Sequence, residues 1–163
     1  MNNAFLLTGG NLGNRLQNLA KAVTLIKQKC GDIYRLSSVY ETAAWGFTTQ
    51  PDFYNQALGI HTLLNADSLM LALLAIEKEI GRERSFKMAP RIIDIDILLM
   101  DDIVYNSEMA TIPHPHLQER RFVLTPLAEI AGNIIHPVFH KTINELLQEC
   151  KDELPVHKIP ANK

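Results

Sequence analysis

Asp94 and Asp96 stand two residues apart in the run Pro90-Arg91-Ile92-Ile93-Asp94-Ile95-Asp96-Ile97-Leu98-Leu99-Met100. The neighbours are apolar and largely β-branched, which reads as a buried strand. Side chains at i and i+2 leave a strand on one face, so the two carboxylates project side by side. Buried, unpaired carboxylates are costly, and a cation relieves that cost. Oxygen ligands with no cysteine nearby favour magnesium. The bland alternative is an edge strand with two solvated acids; Ile92, Ile93, Ile95, Ile97 and Leu98 argue against it. Arg82, Arg84 and Lys87 lie just upstream, and Arg91 is three residues before Asp94. The planar guanidinium fork donates two hydrogen bonds to phosphate oxygens. Alone, such a basic loop reads as solvated surface. Beside two candidate metal ligands, it points to chemistry on a metal-bound polyphosphate.

Other residues carry weaker signals. Phe53 and Asn55 share a strand face, where an aromatic and an amide can stack on and hydrogen-bond a flat heterocycle. Taken alone, the pair favours a core aromatic with an amide at the strand edge. Thr42, close to this strand, is equally weak by itself. His114 and His116 flank a proline, and His136 and His140 lie four apart. No cysteine or acidic ligand accompanies them at zinc-type spacing, and donation to a phosphate suits His114 better. Gly9-Gly10-Asn11-Leu12-Gly13 resembles a phosphate-binding turn, yet it is neither the dinucleotide fingerprint nor a Walker loop. A tight strand-to-helix turn is the simpler reading.

The elements that must hold these residues follow from periodicity. Residues 4–8 read as a strand. A helix follows, with Leu16, Leu19, Ala20, Val23 and Ile26 at helical spacing and Gly31 as its stop. Residues 33–43 read as one long strand, 45–52 as an unusually aromatic loop and 53–63 as another strand. Asn65 can cap a second helix that buries Leu69, Leu73, Ile76 and Ile80 and ends at Gly81. The basic loop and the two-aspartate strand come next. Asp101-Asp102 forms a turn, and 103–105 pairs back as a short strand. Residues 111–116 are rigid and extended, since proline restricts itself and its predecessor. Residues 122–131 are helical with Pro126 in the first turn, and 142–150 form a last amphipathic helix. The order β-α-β-β-α-β followed by extra elements is that of a ferredoxin-like αβ sandwich, an α+β fold with additional strands and C-terminal helices.

With 163 residues, 47% of them hydrophobic and 21% charged, a single domain with a sizeable core is expected over 1–163, the arrangement of 152–163 being left open. A net charge of −2 gives no general affinity for nucleic acid or anionic membrane. Cys30 and Cys150 show no metal-type spacing and read as reduced thiols of a cytoplasmic protein. The N-terminus lacks the charged region and apolar length of a signal peptide, and no apolar run approaches membrane-spanning length.

Several segments together are distinctive. They are Gly9-Gly10-Asn11-Leu12-Gly13, Tyr40-Glu41-Thr42 with Gly46, Gln50-Pro51-Asp52-Phe53-Tyr54-Asn55, Pro90-Arg91-Ile92-Ile93-Asp94-Ile95-Asp96, Pro113-His114, and Arg120-Arg121-Phe122-Val123-Leu124-Thr125-Pro126-Leu127. In this order they resemble the 6-hydroxymethyl-7,8-dihydropterin pyrophosphokinase family of folate biosynthesis, from Leu6 to about Pro137. The resemblance implies a monomeric, magnesium-dependent enzyme with ATP and the hydroxymethyl dihydropterin as its substrates. It would move the terminal diphosphate of ATP to the pterin hydroxymethyl group and release AMP.

By the same resemblance, Asp94 and Asp96 match the ligands of two magnesium ions. Thr42, Ala43, Trp45, Phe53, Asn55 and Phe122 match pterin-site positions, with Phe53 and Phe122 sandwiching the ring and Asn55 reading its edge. Glu77, Arg84, Arg91, Ile97, Thr111, His114 and Arg120 match ATP-site positions. Arg82, Arg91 and Asp96 are the expected catalytic residues, Asp96 as proton acceptor. The chain departs from the family pattern at Ala43, Ala44, Leu74, Met88, Ala89 and Pro115. The rival enzyme class is a two-metal nucleotidyl transferase, which releases pyrophosphate instead of AMP. The non-enzymatic rival, an RNA-binding module, would carry aromatics where this chain puts Asp94 and Asp96.

Overall fold

A computed structural model describes residues 1–43, 50–83 and 89–160. Its largest sheet is antiparallel throughout. Strand β1 (Asn2–Gly10) lies between β5 (Asp94–Met100) and β4 (Phe53–Thr62). The far edge of β4 is shared by β2 (Asp32–Leu36) and β3 (Tyr40–Thr42). The expected strand over 33–43 is therefore broken in two, and the cause is local. Ser37 Oγ accepts the Ala57 amide at 2.8 Å and its carbonyl accepts Gln56 Nε2 at 2.9 Å, so a side chain replaces a ladder bond and the chain bends.

Alternation along β1 sends its side chains to two separate cores. Leu6, with Leu58, Ile60, Ile93, Ile95 and Ile97, packs under helices α1 (Arg15–Lys29) and α2 (Ala66–Ile80). Phe5 and Leu7, with Ala57, Leu98 and Leu99, pack under α3 (Arg121–Ala131) and α4 (Ile143–Glu149). Helices thus cover both faces of the sheet. Asn14, Asn65 and Thr142 cap α1, α2 and α4 with their side chains, as such residues do by binding otherwise orphaned amides. On α1 the buried stripe is Asn18, Leu19, Ala22 and Ile26; Leu16 is 38% exposed and Ala20 also faces out. Pro126 falls in the second turn of α3 instead of the first.

The short strand after the Asp101 turn is β6 (Tyr105–Asn106), which pairs with β7 (Thr111–Ile112) as a separate ribbon. Only that first part of 111–116 is extended. After the cis Ile112-Pro113 bond the chain turns into a short 3-10 helix, Leu117–Glu119. After α4 the chain returns to the sheet, where β8 (Val156–Lys158) adds to the outer edge of β3. No helix among the described residues is long and apolar enough to cross a membrane.

Candidate active site

The α3 face of the sheet is left uncovered where that helix begins, and a cavity of about 180 Å³ opens there. Its floor is a row across three paired strands: Asn55 on β4 stands opposite Gly9 on β1, and Gly9 opposite Asp94 on β5. Two residues further along β5, Asp96 and then Leu98 continue the same face. Thr42, Ala43 and Phe53 line one wall, Arg120, Phe122 and Val123 another, and Arg91 and His114 close the remaining side.

Glycine at position 9 is a packing requirement. A Cβ there would lie 2.2 Å from Asn55 Oδ1, and one on Gly10 would lie 2.2 Å from the Ile92 carbonyl oxygen. Neither residue forms the turn expected of this segment; both are strand, and Gly13, with φ +71°, makes the turn. Asn55 is 3% exposed, and its Nδ2 donor finds no partner among the described residues. A buried donor without an acceptor is rare and costly, so this amide is suited to a ligand acceptor.

Electrostatics concentrate on the β5 carboxylates. Arg82 Nη1 lies 2.9 Å from Asp94 Oδ1 and 2.9 Å from Glu77 Oε1, and Arg91 Nη1 lies 3.5 Å from Asp94 Oδ2. Burial works against the Arg82 charge, but Asp94 and Glu77 outweigh it and raise its pKa. Glu77, 3% exposed on α2, also accepts the Ile95 amide at 2.7 Å, so it fixes β5 and Arg82 together. Burial first, then the Asp94 and Glu77 charges, push the Asp96 carboxyl well above the usual carboxylate range, while Arg120 and Arg82 pull the other way. Its side chain keeps 35% accessibility, yet it opens into a lined cavity and not onto free surface. The crowding of Asp96 by two other carboxylates is the kind of strain a cation relieves.

His114 Nε2 sits 4.0 Å from Asp96 Oδ2. Its Nδ1 accepts the His116 amide at 3.2 Å, which leaves the proton of the neutral ring on Nε2, toward Asp96. Burial, then the Arg120 and His116 charges, push His114 down to about 4, so the ring is neutral at pH 7. Each candidate stacking ring carries a guanidinium: Arg91 Cζ is 5.1 Å from the Phe53 centroid and Arg120 Cζ 5.8 Å from that of Phe122.

The structure thus brings Thr42, Ala43, Phe53, Asn55, Arg91, Asp94, Asp96, His114, Arg120 and Phe122 around one cavity. Glu77 and Arg82 line a neighbouring one with Met70, Leu74, Lys78, Glu108 and Met109, and Arg82 reaches from it to Asp94. Ile97 is not brought in: it points to the helical core under α1 and α2, on the face opposite Asp94 and Asp96. The Thr111 side chain is exposed and bonds Asn106. Trp45 and Arg84 lie outside the described residues. His136 is buried apart from the cavity, its Nδ1 accepting the Val138 and Phe139 amides.

One residue of the site was not singled out in the sequence. Asn11, 2% exposed, accepts the Arg91 amide at 2.9 Å and donates its own to the Arg91 carbonyl at 2.9 Å. Its Nδ2 bonds Gln50 Oε1 at 3.0 Å and the Pro51 carbonyl at 3.1 Å. It staples the two loops flanking the cavity. Within its glycine-rich segment, nothing local separates such a staple from a turn residue.

The chain is similar to known proteins over most of its length. The family profile described as 7,8-dihydro-6-hydroxymethylpterin-pyrophosphokinase (HPPK) matches residues 5–132. A 2-amino-4-hydroxy-6-hydroxymethyldihydropteridine pyrophosphokinase of Aquifex aeolicus is 40% identical over 149 residues, covering 91% of this chain and 92% of the relative. The enzyme of the same name from Bacillus subtilis is 40% identical over 136 residues, covering 82% and 81%. Among solved structures, a Plasmodium falciparum HPPK-DHPS triple mutant with STZ-DHP superposes with a TM-score of 0.75 at 18% identity, over 91% of this chain. The chain spans 43% of the length of that protein.

Proposed function

The chain belongs to the 7,8-dihydro-6-hydroxymethylpterin-pyrophosphokinase family, with its pyrophosphokinase activity in folate biosynthesis, and we propose that the cavity around Asn55, Asp94 and Asp96 carries that reaction. In it the terminal diphosphate of ATP passes to the hydroxymethyl group of 6-hydroxymethyl-7,8-dihydropterin, and AMP leaves. The observation that carries this reading is the row Asn55–Gly9–Asp94. It puts an amide with an unused donor and a carboxylate fit for a cation on one floor.

The pterin would lie between Phe53 and Phe122, with its edge on the Asn55 amide and its hydroxymethyl group toward Asp96. Thr42 and Ala43 would border it, with Trp45 from the adjoining loop. Asp94 and Asp96 fit magnesium: the donors are hard carboxylate oxygens side by side on one strand face. Magnesium is held that way, by one or two carboxylates together with substrate phosphates. When bound as two ions, it would neutralise the triphosphate and align the β-phosphorus for in-line attack.

The chain's own residues supply the rest. Arg82 and Arg91, both on Asp94 here, would exchange that carboxylate for phosphate oxygens, with Arg84 and Arg120 beside them. His114 would donate from Nε2 to a phosphate oxygen. Since its ring is pushed down to about 4, it is a poor base, and Asp96 is the better acceptor for the hydroxyl proton. Glu77 would hold Arg82 in place. The strand order β5-β1-β4-β2 with two helical crossovers supports a ferredoxin-like αβ sandwich. Cys30 and Cys150 are free thiols, which fits a reducing, cytoplasmic setting.

Incubating the protein with ATP, magnesium and the hydroxymethyl dihydropterin, then identifying nucleotides and pterins by mass spectrometry, tests the reading. AMP and a diphosphorylated pterin in equal amounts are expected. ADP, or pyrophosphate with a nucleotidylated pterin, would overturn it.

A further inference from the structure

Helix α3 begins without a cap of its own: Arg120, at the capping position, makes no side-chain capping bond. The service comes from the end of the chain. Asp152 Oδ2 accepts the Arg121 amide at 3.1 Å, and a carboxylate at a helix N-terminus is favourable in both hydrogen bonding and dipole. The contact is reciprocal. Arg121 Nε donates to the Asp152 carbonyl at 2.8 Å and Nη2 to the Cys150 carbonyl at 3.0 Å. The second carboxylate oxygen, Asp152 Oδ1, accepts the Leu154 amide at 3.0 Å.

Beyond this knot the segment crosses to the opposite wall of the cavity. The Pro155 carbonyl accepts Thr42 Oγ1 at 3.2 Å. Val156 pairs opposite Thr42, and Thr42 pairs opposite Phe53. A continuous path of hydrogen bonds thus runs from Arg121, next to Phe122, through residues 152–156 to the strand neighbour of Phe53. Apolar packing of Val123, Leu124 and Leu127 fixes the body of α3 on the sheet. The knot adds a polar hold at the first residue of the helix, Arg121, directly before Phe122.

We propose that residues 152–156 form a strap that sets the gap between Phe53 and Phe122, with Arg121 and Asp152 as positioning residues for the flat ring held there. This rests on the reading that those two rings sandwich the pterin. The strap touches neither ring; it acts through the ends of the two elements that carry them.

The test uses Asp152→Ala and Asp152→Asn in the full chain, each alone and combined with Phe122→Ala. Pterin affinity is measured by calorimetry. Loss of the carboxylate cap should weaken pterin binding about 5- to 20-fold in Asp152→Ala. Asp152→Asn, which keeps an oxygen acceptor, should recover to within about threefold of wild type. In the Phe122→Ala background the Asp152→Ala loss should shrink below about twofold, since no ring remains to be positioned. Unchanged affinity in Asp152→Ala, or an equal loss with and without Phe122, would overturn the strap. Wild-type protein that fails to bind the pterin would overturn the functional reading instead. The strap is then judged by hydrogen exchange alone: amides 121–124 should lose protection in Asp152→Ala while 127–131 keep theirs, and equal protection throughout refutes it.

Discussion

Asp94 is held by Arg82 and Arg91 while Asp96, among the described residues, faces a distant His114, so the two carboxylates are unequal before any ligand arrives. Both are expected to be indispensable. Asp94→Ala and Asp96→Ala should each lower AMP release at least about 10²-fold, the scale lost with a transition-state charge stabiliser, while circular dichroism shows the fold intact. Near-normal turnover of either variant with magnesium as the only metal would remove that residue from the metal site. Phe122 should matter differently. Stacking on a base is worth about 1–3 kcal/mol, so Phe122→Ala should weaken pterin binding about 5- to 150-fold, and an ATP analogue much less. Equal losses for both ligands would reassign Phe122 to the core.

Strands β1, β4 and β5 build the floor only because β1 carries glycine where it runs between Asn55 and Asp94. Gly9→Ala should displace the Asn55 amide, whose oxygen would stand 2.2 Å from the new methyl group. Overpacking of this kind typically costs about 1–3 kcal/mol. Thermal unfolding should therefore show a modest drop, and pterin titration a larger one, with ATP-analogue binding close to wild type. Tight pterin binding by Gly9→Ala would mean that Asn55 is not the edge-reading amide. The loops beside the floor depend on Asn11 in the same way, since one buried side chain ties Arg91 to Gln50 and Pro51.

Strands β3 and β8 meet helix α3 at Glu129. It accepts the Tyr40 hydroxyl and the Ser38 amide, both at 2.6 Å, and faces Lys158 at 3.7 Å. Burial alone would raise this carboxyl; the Tyr40 and Ser38 hydrogen bonds and the Lys158 charge outweigh it and hold it below its ordinary value. Burial, then Glu129 itself, pushes Tyr40 up to about 12, so Tyr40 remains the donor. A carboxyl depressed in the folded state stabilises it above the unfolded pKa, roughly 4.3 for glutamate. That stability is lost as pH falls through the lower folded value. Glu129→Gln should accordingly lower the melting temperature at pH 7 and flatten its decline below about pH 5. Melting curves for the two proteins that stay parallel from pH 3 to 7 would discount the linkage.

Period-two alternation in β5 is a property of seven consecutive residues, and it was enough to put Asp94 and Asp96 on one face. The Asn14, Asn65 and Thr142 caps are equally local, because their partners lie three residues away. The single strand expected over 33–43 failed for a reason that sequence pattern does not register: a Ser37 hydroxyl bonded to a residue twenty positions off. Periodicity likewise put Leu16 and Ala20 on the buried stripe of α1, where Asn18 and Ala22 stand instead, since the choice of face there was made by the sheet. The deeper features of the site are all long-range. Glu77 reaching Ile95, Asn11 reaching Arg91, and Arg121 reaching Asp152 are separated by 18, 80 and 31 positions. Backbone geometry fixes which way a side chain leaves its own strand or helix. Which buried donor meets which acceptor depends on where distant segments come within about 3 Å, and only the packed chain decides that.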